Sequence, residues 1–216
     1  MQNNFFWLLG QGTLETIYMV VLSGIIAIGL GLPLGIILFT TRKGGILQNS
    51  IYNRTLSSVI NVLRAIPFII LLIALIPLTR LIVGSSIGTN AAIIPLSIAS
   101  IPFVARIVES ALVKIGDGLI ETGIAMGSSP LQTITKIMIP EALPLIIHGF
   151  TTTLIGLVGY SAMAGAVGGG GLGAVAINYG YQRFDLMIML ATIIILILLV
   201  YVIQYLGDRI ANRFTH

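Results

Sequence analysis

Apolar residues in this chain come in long runs, not in the short alternating stretches of a half-buried sheet. A helix needs about 20 apolar residues to cross the hydrocarbon of a bilayer. Five runs reach that length, at about residues 16–40, 57–83, 89–112, 143–166 and 186–206, and they predict five membrane-spanning helices. The first carries Gly24, Gly29, Gly31 and Gly35, a spacing that predicts close packing inside a bundle, with a bend at Pro33. The second is interrupted by Arg64, Pro67 and Pro77, and the third contains Pro95, Pro102, Arg106 and Glu109. The fourth dissolves into four consecutive glycines at 168–171, whereas the uncharged, most lipophilic fifth is expected at the periphery.

Between the third and fourth runs, residues 117–140 break the pattern. Within ETGIAMGSSPLQTITKIMIP, Ile120, Ile124 and Met126, then Leu131, Ile134 and Ile137, recur at helical intervals and give two short amphipathic helices. The turn Gly127-Ser128-Ser129-Pro130 supplies a glycine able to leave the first helix with positive φ, a serine cap and a proline suited to the next first turn. Amphipathicity alone serves equally an interfacial helix pair resting on lipid and a knuckle projecting from the membrane surface. The spacing favours the knuckle. Glu121, Gly127, Ile137 and Ile139-Pro140 resemble the EAA loop of ABC importer permeases: Glu-Ala-Ala, three residues, Gly, nine residues, Ile, one residue, Leu-Pro. Thr122-Gly123 stand where that pattern has alanines, and Ile139 where it has leucine.

Composition agrees with an integral membrane protein. Of 216 residues 56% are hydrophobic and 8% charged, and the mean hydropathy is +1.06, against roughly 25% charged residues in soluble domains. One transmembrane domain spanning 1–216 is the economical division. The net charge of +4 would suggest nucleic acid in a soluble protein, but here it reads as basic residues on the cytoplasmic side. With the N-terminus outside, Arg42, Lys43, Arg54, Lys114, Lys136, Arg209 and Arg213 fall inside and only Arg80 and Arg183 outside. The knuckle and the C-terminus are then cytoplasmic. No cysteine is present, which excludes disulfides and thiolate chemistry, and no cleavable signal peptide is visible at the start.

Few residues suggest chemistry. The run GGGGLG at 168–173 matches the dinucleotide pattern only formally, since a membrane span precedes it and Asp185 follows too soon; it reads as a flexible re-entrant or extracellular turn. No Gly-Lys pair exists, so no phosphate-binding loop does either, and ATP-driven work needs a partner. Arg106 and Glu109 sit three apart on one helix face and are expected to pair structurally. Arg64, one turn before Pro67, either braces a kink at the inner mouth of a pathway or snorkels to the interface. His148 stands alone among apolar neighbours, so neither a metal site nor a catalytic set is expected. Around Met163, small residues from Gly159 to Val167 serve helix packing, while the thioether also suits a deformable plug.

Beyond the knuckle, most of the chain resembles the permease of methionine ABC importers. The resemblance is carried by RAIPFIILL at 64–72, by Ile76-Pro77 with Thr79-Arg80, and by PEALP at 140–144. It continues through GYSAMAGAVGGGGLG at 159–173 and Tyr205 with GDRI at 207–210. It implies an all-α, five-helix permease fold in the bacterial inner membrane. It also implies a homodimer, two separate ABC ATPase subunits that hold ATP and Mg, and a substrate-binding lipoprotein that delivers methionine. On this resemblance the ATPase-coupling residues are Glu121, Gly127, Ser128, Pro130, Ile137 and Pro140. The translocation gate draws on Met163, Tyr160, Ser161 and Phe68. Another small solute, a different amino acid or a quaternary amine, is the alternative substrate.

Overall fold

The computed structural model describes residues 2–116 and 118–214. Every regular element among them is helical. In order they are α1 (Gln2–Thr41), α2 (Ser50–Ala65), α3 (Phe68–Ala74), α4 (Ile76–Val83), α5 (Thr89–Ile115), α6 (Gly118–Ala125), α7 (Pro130–Gln132), α8 (Ile139–Ala166), α9 (Gly171–Val175) and α10 (Leu186–Ala211). A π-helical segment, Thr133–Met138, joins α7 to α8, and another, Ala176–Tyr181, continues α9. Among the described residues four helices are long and apolar enough to cross a membrane, and a fifth crossing is reached when α2 and α3 are counted as one bent pair.

That bent pair departs from the expected second span. Residue Ile66 is extended, with ψ 124, because the following Pro67 disfavours helical geometry before it. The chain turns there by 101°. Pro77, expected to interrupt a helix, instead lies in the first turn of α4, where its missing N–H costs nothing. The stretch 57–83 is therefore three helices, of which α2 is amphipathic and capped by the Asn49 side chain accepting from Tyr52 N.

Helix α5 is the central post. Leu96, Val104, Ala105, Val108 and Leu112 on it are all buried, and α1 packs along its length. Glycines make that contact close: a Cβ added at Gly31 would lie 2.6 Å from Val104 Cβ, and one at Gly35 2.5 Å from the Ala105 carbonyl. Gly24 admits Leu154 of α8 in the same way, but Gly29 faces open space and takes no part. Helix α1 begins well before residue 16 and runs 40 residues, about 60 Å of rise against about 30 Å of hydrocarbon. Its additional turns bring Leu9 against Leu172, Val175 and Ile188. Helix α10 lies at the edge, most of its surface exposed, anchored where Thr151 of α8 occupies the space beside Gly207.

Candidate functional site

The knuckle forms from its own local signals. Helix α6 ends at Gly127, whose φ of 79 lies where a side chain is strained and whose N–H donates to Ile124 O. Ser129 then caps α7 in a reciprocal box: its Oγ accepts from Gln132 N and its own N–H donates to Gln132 Oε1 at 2.9 Å. Ser128 ties the two halves together, its hydroxyl 2.7 Å from Gly123 O and 2.6 Å from Thr133 Oγ1. Ile137 packs over Gly123, where an added Cβ would meet its Cδ1 at 2.8 Å. The apolar stripes split. Ile120 and Ile134 are buried, whereas Ile124, Met126 and Leu131 stand 56%, 80% and 69% exposed at the tip, beside exposed Glu121.

The second half of the knuckle is not a separate short helix. From Pro130 to Ala166 the chain is one helix of 37 residues. Pro140 cannot donate to the ladder, and just before it the bonding has widened to five residues, Ile139 N reaching Ile134 O. The sequence suggests a short helix separate from the span at 143–166; the π turn carries one helix through Pro140 into that span.

On α8 the residues Leu145, His148, Thr152, Gly156 and Tyr160 follow one another at three- and four-residue steps and face α5 across a continuous groove. Its wider part, about 440 Å³, lies among Arg64, Phe103, Arg106, Lys114 and His148; a narrower part, about 200 Å³, ends at Tyr160. Phe103, Ile107 and Thr152 line both, so the two parts join. Between Leu145 and Tyr160 the helix rises about 22 Å. The Tyr160 ring is stacked on Phe68 of α3 with centroids 4.7 Å apart. Met163, three residues further along the same face, is half exposed. Ser161 is turned away: it is 1% exposed and its hydroxyl donates to Val158 O at 2.8 Å.

The charged residues divide by role. Arg106 Nη1 meets Glu109 Oε2 at 2.6 Å, while Nη2 reaches across to α2, to Ser57 Oγ, Ser57 O at 3.2 Å and Asn61 Oδ1 at 2.9 Å. It thus fastens the helix before the break to the central post. The Arg64 guanidinium lies over the Phe103 ring, 5.1 Å from its centroid. His148 is not alone, because Asp208 of α10 stands 3.4 Å from its Nδ1. No sequence spacing could reveal that neighbour, which is sixty positions away.

The four-glycine run is a packed crossing, not a flexible turn. Gly168, Gly170 and Gly171 have positive φ, and the Gly171 and Leu172 N–H groups donate to Glu15 Oε2 at 2.7 Å and Thr16 Oγ1 at 2.9 Å on α1. A Cβ at Gly173 would collide with the Ala162 carbonyl. The segment after the groove helix is thereby clamped between α1 and α8. Sequence inspection missed Glu15 and Thr16 as its partners, and it missed Phe103, Ile107, Thr152 and Gly156 as groove walls. The helical spacing of small and hydroxylated residues on α8 is the signal that points to the last two.

Comparison with known proteins fits this geometry. Residues 27–216 match the family described as binding-protein-dependent transport system inner membrane component. The chain is 53% identical over 209 residues to the probable D-methionine transport system permease protein MetI of Vibrio cholerae, covering 97% of this chain and 93% of that one. It is 50% identical over 165 residues to the D-methionine transport system permease protein MetI of Escherichia coli (strain K12), covering 76% of each. Among solved structures it superposes on a chain of the MetNI methionine ABC transporter, described as inward facing, with a TM-score of 0.98, 49% identity and full coverage of both chains. A chain of an amino acid ABC transporter with histidines shares the fold at a TM-score of 0.74 and 20% identity, over 99% of this chain and 95% of that one.

Proposed function

This chain belongs to the binding-protein-dependent transport system inner membrane components, and from that premise we propose that it is the membrane-spanning permease of an ATP-driven methionine importer. It is a transport component and not an enzyme. The observation that carries the mechanism is the continuous helix Pro130–Ala166, which joins the knuckle to the groove wall. The exposed side chains of Ile124, Met126 and Leu131 at the knuckle tip are the surface that a separate ATPase subunit covers, with Glu121, Gly127, Ser128, Pro130, Ile137 and Pro140 shaping it. The ATP and Mg belong to that subunit.

Two copies of the chain, related by a twofold axis, enclose the pathway. Met163 of each faces its twin, one helical turn beyond Tyr160 and its stacked partner Phe68. The similarity to a transporter described as inward facing supports reading the groove as open toward the cytoplasm. ATP binding draws the two knuckles together and tilts the helices above them. The inner end of the groove then narrows while the end at Met163 opens to a binding lipoprotein presenting methionine outside. Transport is a shift between two packings, each favoured by a different ligand state. The excess of Arg and Lys in the loops on the knuckle's side supports a cytoplasmic C-terminus and an external N-terminus in the inner membrane.

The test is reconstitution in vesicles with the ATPase and the binding protein. ATP-dependent uptake of labelled methionine, displaced by unlabelled methionine and not by other amino acids or quaternary amines, is the expected result. Displacement by one of those solutes instead would reassign the substrate. ATP hydrolysis with no solute movement would overturn the transport reading.

A further inference from the structure

We propose that Arg64 and Lys114 make the wide end of the groove a carboxylate subsite, through which the acid group of the solute leaves ahead of its apolar side chain. The inference rests on the transport reading above and adds a specificity element to it.

Among the described residues, all the charge lining the wide part is positive: Arg64, Arg106, Lys114 and, when protonated, His148. Arg106 is committed to Glu109 and to α2, and His148 faces Asp208. Among the described residues, neither Arg64 nor Lys114 has a carboxylate within ion-pair distance. Ordinary packing offers a reason for one cation near a membrane boundary, the reach of a long side chain to water. It does not explain why two cations with no carboxylate partner among the described residues line one groove that narrows to an aromatic pair.

The setting of Arg64 is suited to an anion. Its guanidinium carbon lies over the Phe103 ring, and its N–H groups make no hydrogen bond among the described residues, which leaves donors for the two oxygens of a carboxylate. Phe103 also lines the narrow part, so the cation sits where the two parts meet. Beyond it the walls become Ile107, Gly156 and Tyr160 with Ser100, Thr152 and Thr153, whose threonine hydroxyls are bonded back to their own helix, a mostly apolar and aromatic slot that accepts a thioether chain. A zwitterion with an apolar tail is matched along its length, acid group toward Arg64 and Lys114, tail toward Tyr160. Because both sites are solvent-facing, the subsite draws the solute inward without holding it.

The experiment compares Arg64→Lys, Arg64→Gln and Arg64→Glu with the unchanged protein, each in vesicles with the ATPase and the binding protein. The readout is solute moved per ATP hydrolysed, for methionine and for methionine amide, each loaded to saturation on the binding protein. Methionine movement is expected to fall about tenfold with Gln, the size of one lost charge-assisted hydrogen bond. It should fall less with Lys, which keeps the charge but not the forked donors, and be lowest with Glu. The amide should already move slowly in the unchanged protein and be indifferent to Arg64→Gln. If the binding protein rejects the amide, the order Lys, Gln, Glu decides. Lys114→Gln should lower methionine movement in the same direction and serves if the Arg64 variants do not assemble. Equal losses for both solutes would mean a structural role and overturn the subsite. So would a loss reproduced in the unchanged protein by replacing anionic with zwitterionic lipid, which would make the cations headgroup contacts. Unaltered methionine movement in Gln and Glu variants overturns it too. Failure of the unchanged protein to move methionine would instead strike the proposed function.

Discussion

Phe68 and Tyr160 lie face to face, ring centroids 4.7 Å apart and planes inclined by 15°. Phe68 is the first residue after the Pro67 break, and Tyr160 closes the narrow end of the groove, so this one contact joins the bent second crossing to the groove helix.

Stacked pairs of this kind contribute about 0.5–1.5 kcal/mol beyond the area they bury. Phe68→Ala and Tyr160→Ala should each destabilise the assembled protein, and a double-mutant cycle should return a coupling of about 1 kcal/mol. Unfolding in mild detergent measures it. Strictly additive single losses would mean that the rings touch without supporting each other.

Met163 lies one helical turn beyond Tyr160 on α8 and is half exposed. Shortening it by Met163→Ala should let solute leak and raise ATP hydrolysis in the absence of binding protein. Vesicle leak and basal hydrolysis both at the starting level would remove Met163 from the gate.

Gly127 holds a φ of 79 in the knuckle turn. A β-branched residue there is strained by about 1–2 kcal/mol, which the exposed turn relieves by reshaping and not by unfolding the bundle. Gly127→Val should therefore insert and dimerise normally yet lose the stimulation of ATP hydrolysis by the binding protein. Full stimulation in that variant would show that the turn's shape does not matter to coupling.

Arg106 is the fastening between α2 and α5. Replacing it with Leu strands Glu109 in a partly buried position and frees Ser57 and Asn61, a loss on the order of 3 kcal/mol concentrated at 19% and 18% exposed side chains. Limited proteolysis should then cut between α2 and α3 faster than in the unchanged protein. An unchanged cleavage pattern would mean that the bend at Pro67 holds α2 without the arginine.

The sequence makes the knuckle turn legible almost residue by residue, because it depends on neighbours in the chain: glycine, two serines and a proline each act within five positions. Four long apolar helices are legible for the same reason, length and apolarity being local, whereas the second predicted span, 57–83, is broken into three helices. What inspection misreads depends on contacts between distant segments. The glycine run at 168–171 looks loose until Glu15 and Thr16 supply acceptors for its N–H groups. His148 looks solitary until α10 brings Asp208 beside it. Prolines mislead in both directions: Pro67 ends a helix where a kink is expected, while Pro140 is absorbed by a π turn where two separate helices are expected.

The helix Pro130–Ala166 makes the foot of the knuckle and the Met163 end parts of a single lever of 37 residues. It is about 55 Å long, so rocking it by about 5° around its middle displaces each extremity by roughly 2 Å in opposite directions. Narrowing at one mouth and widening at the other are then the same movement, and no signal has to travel between them.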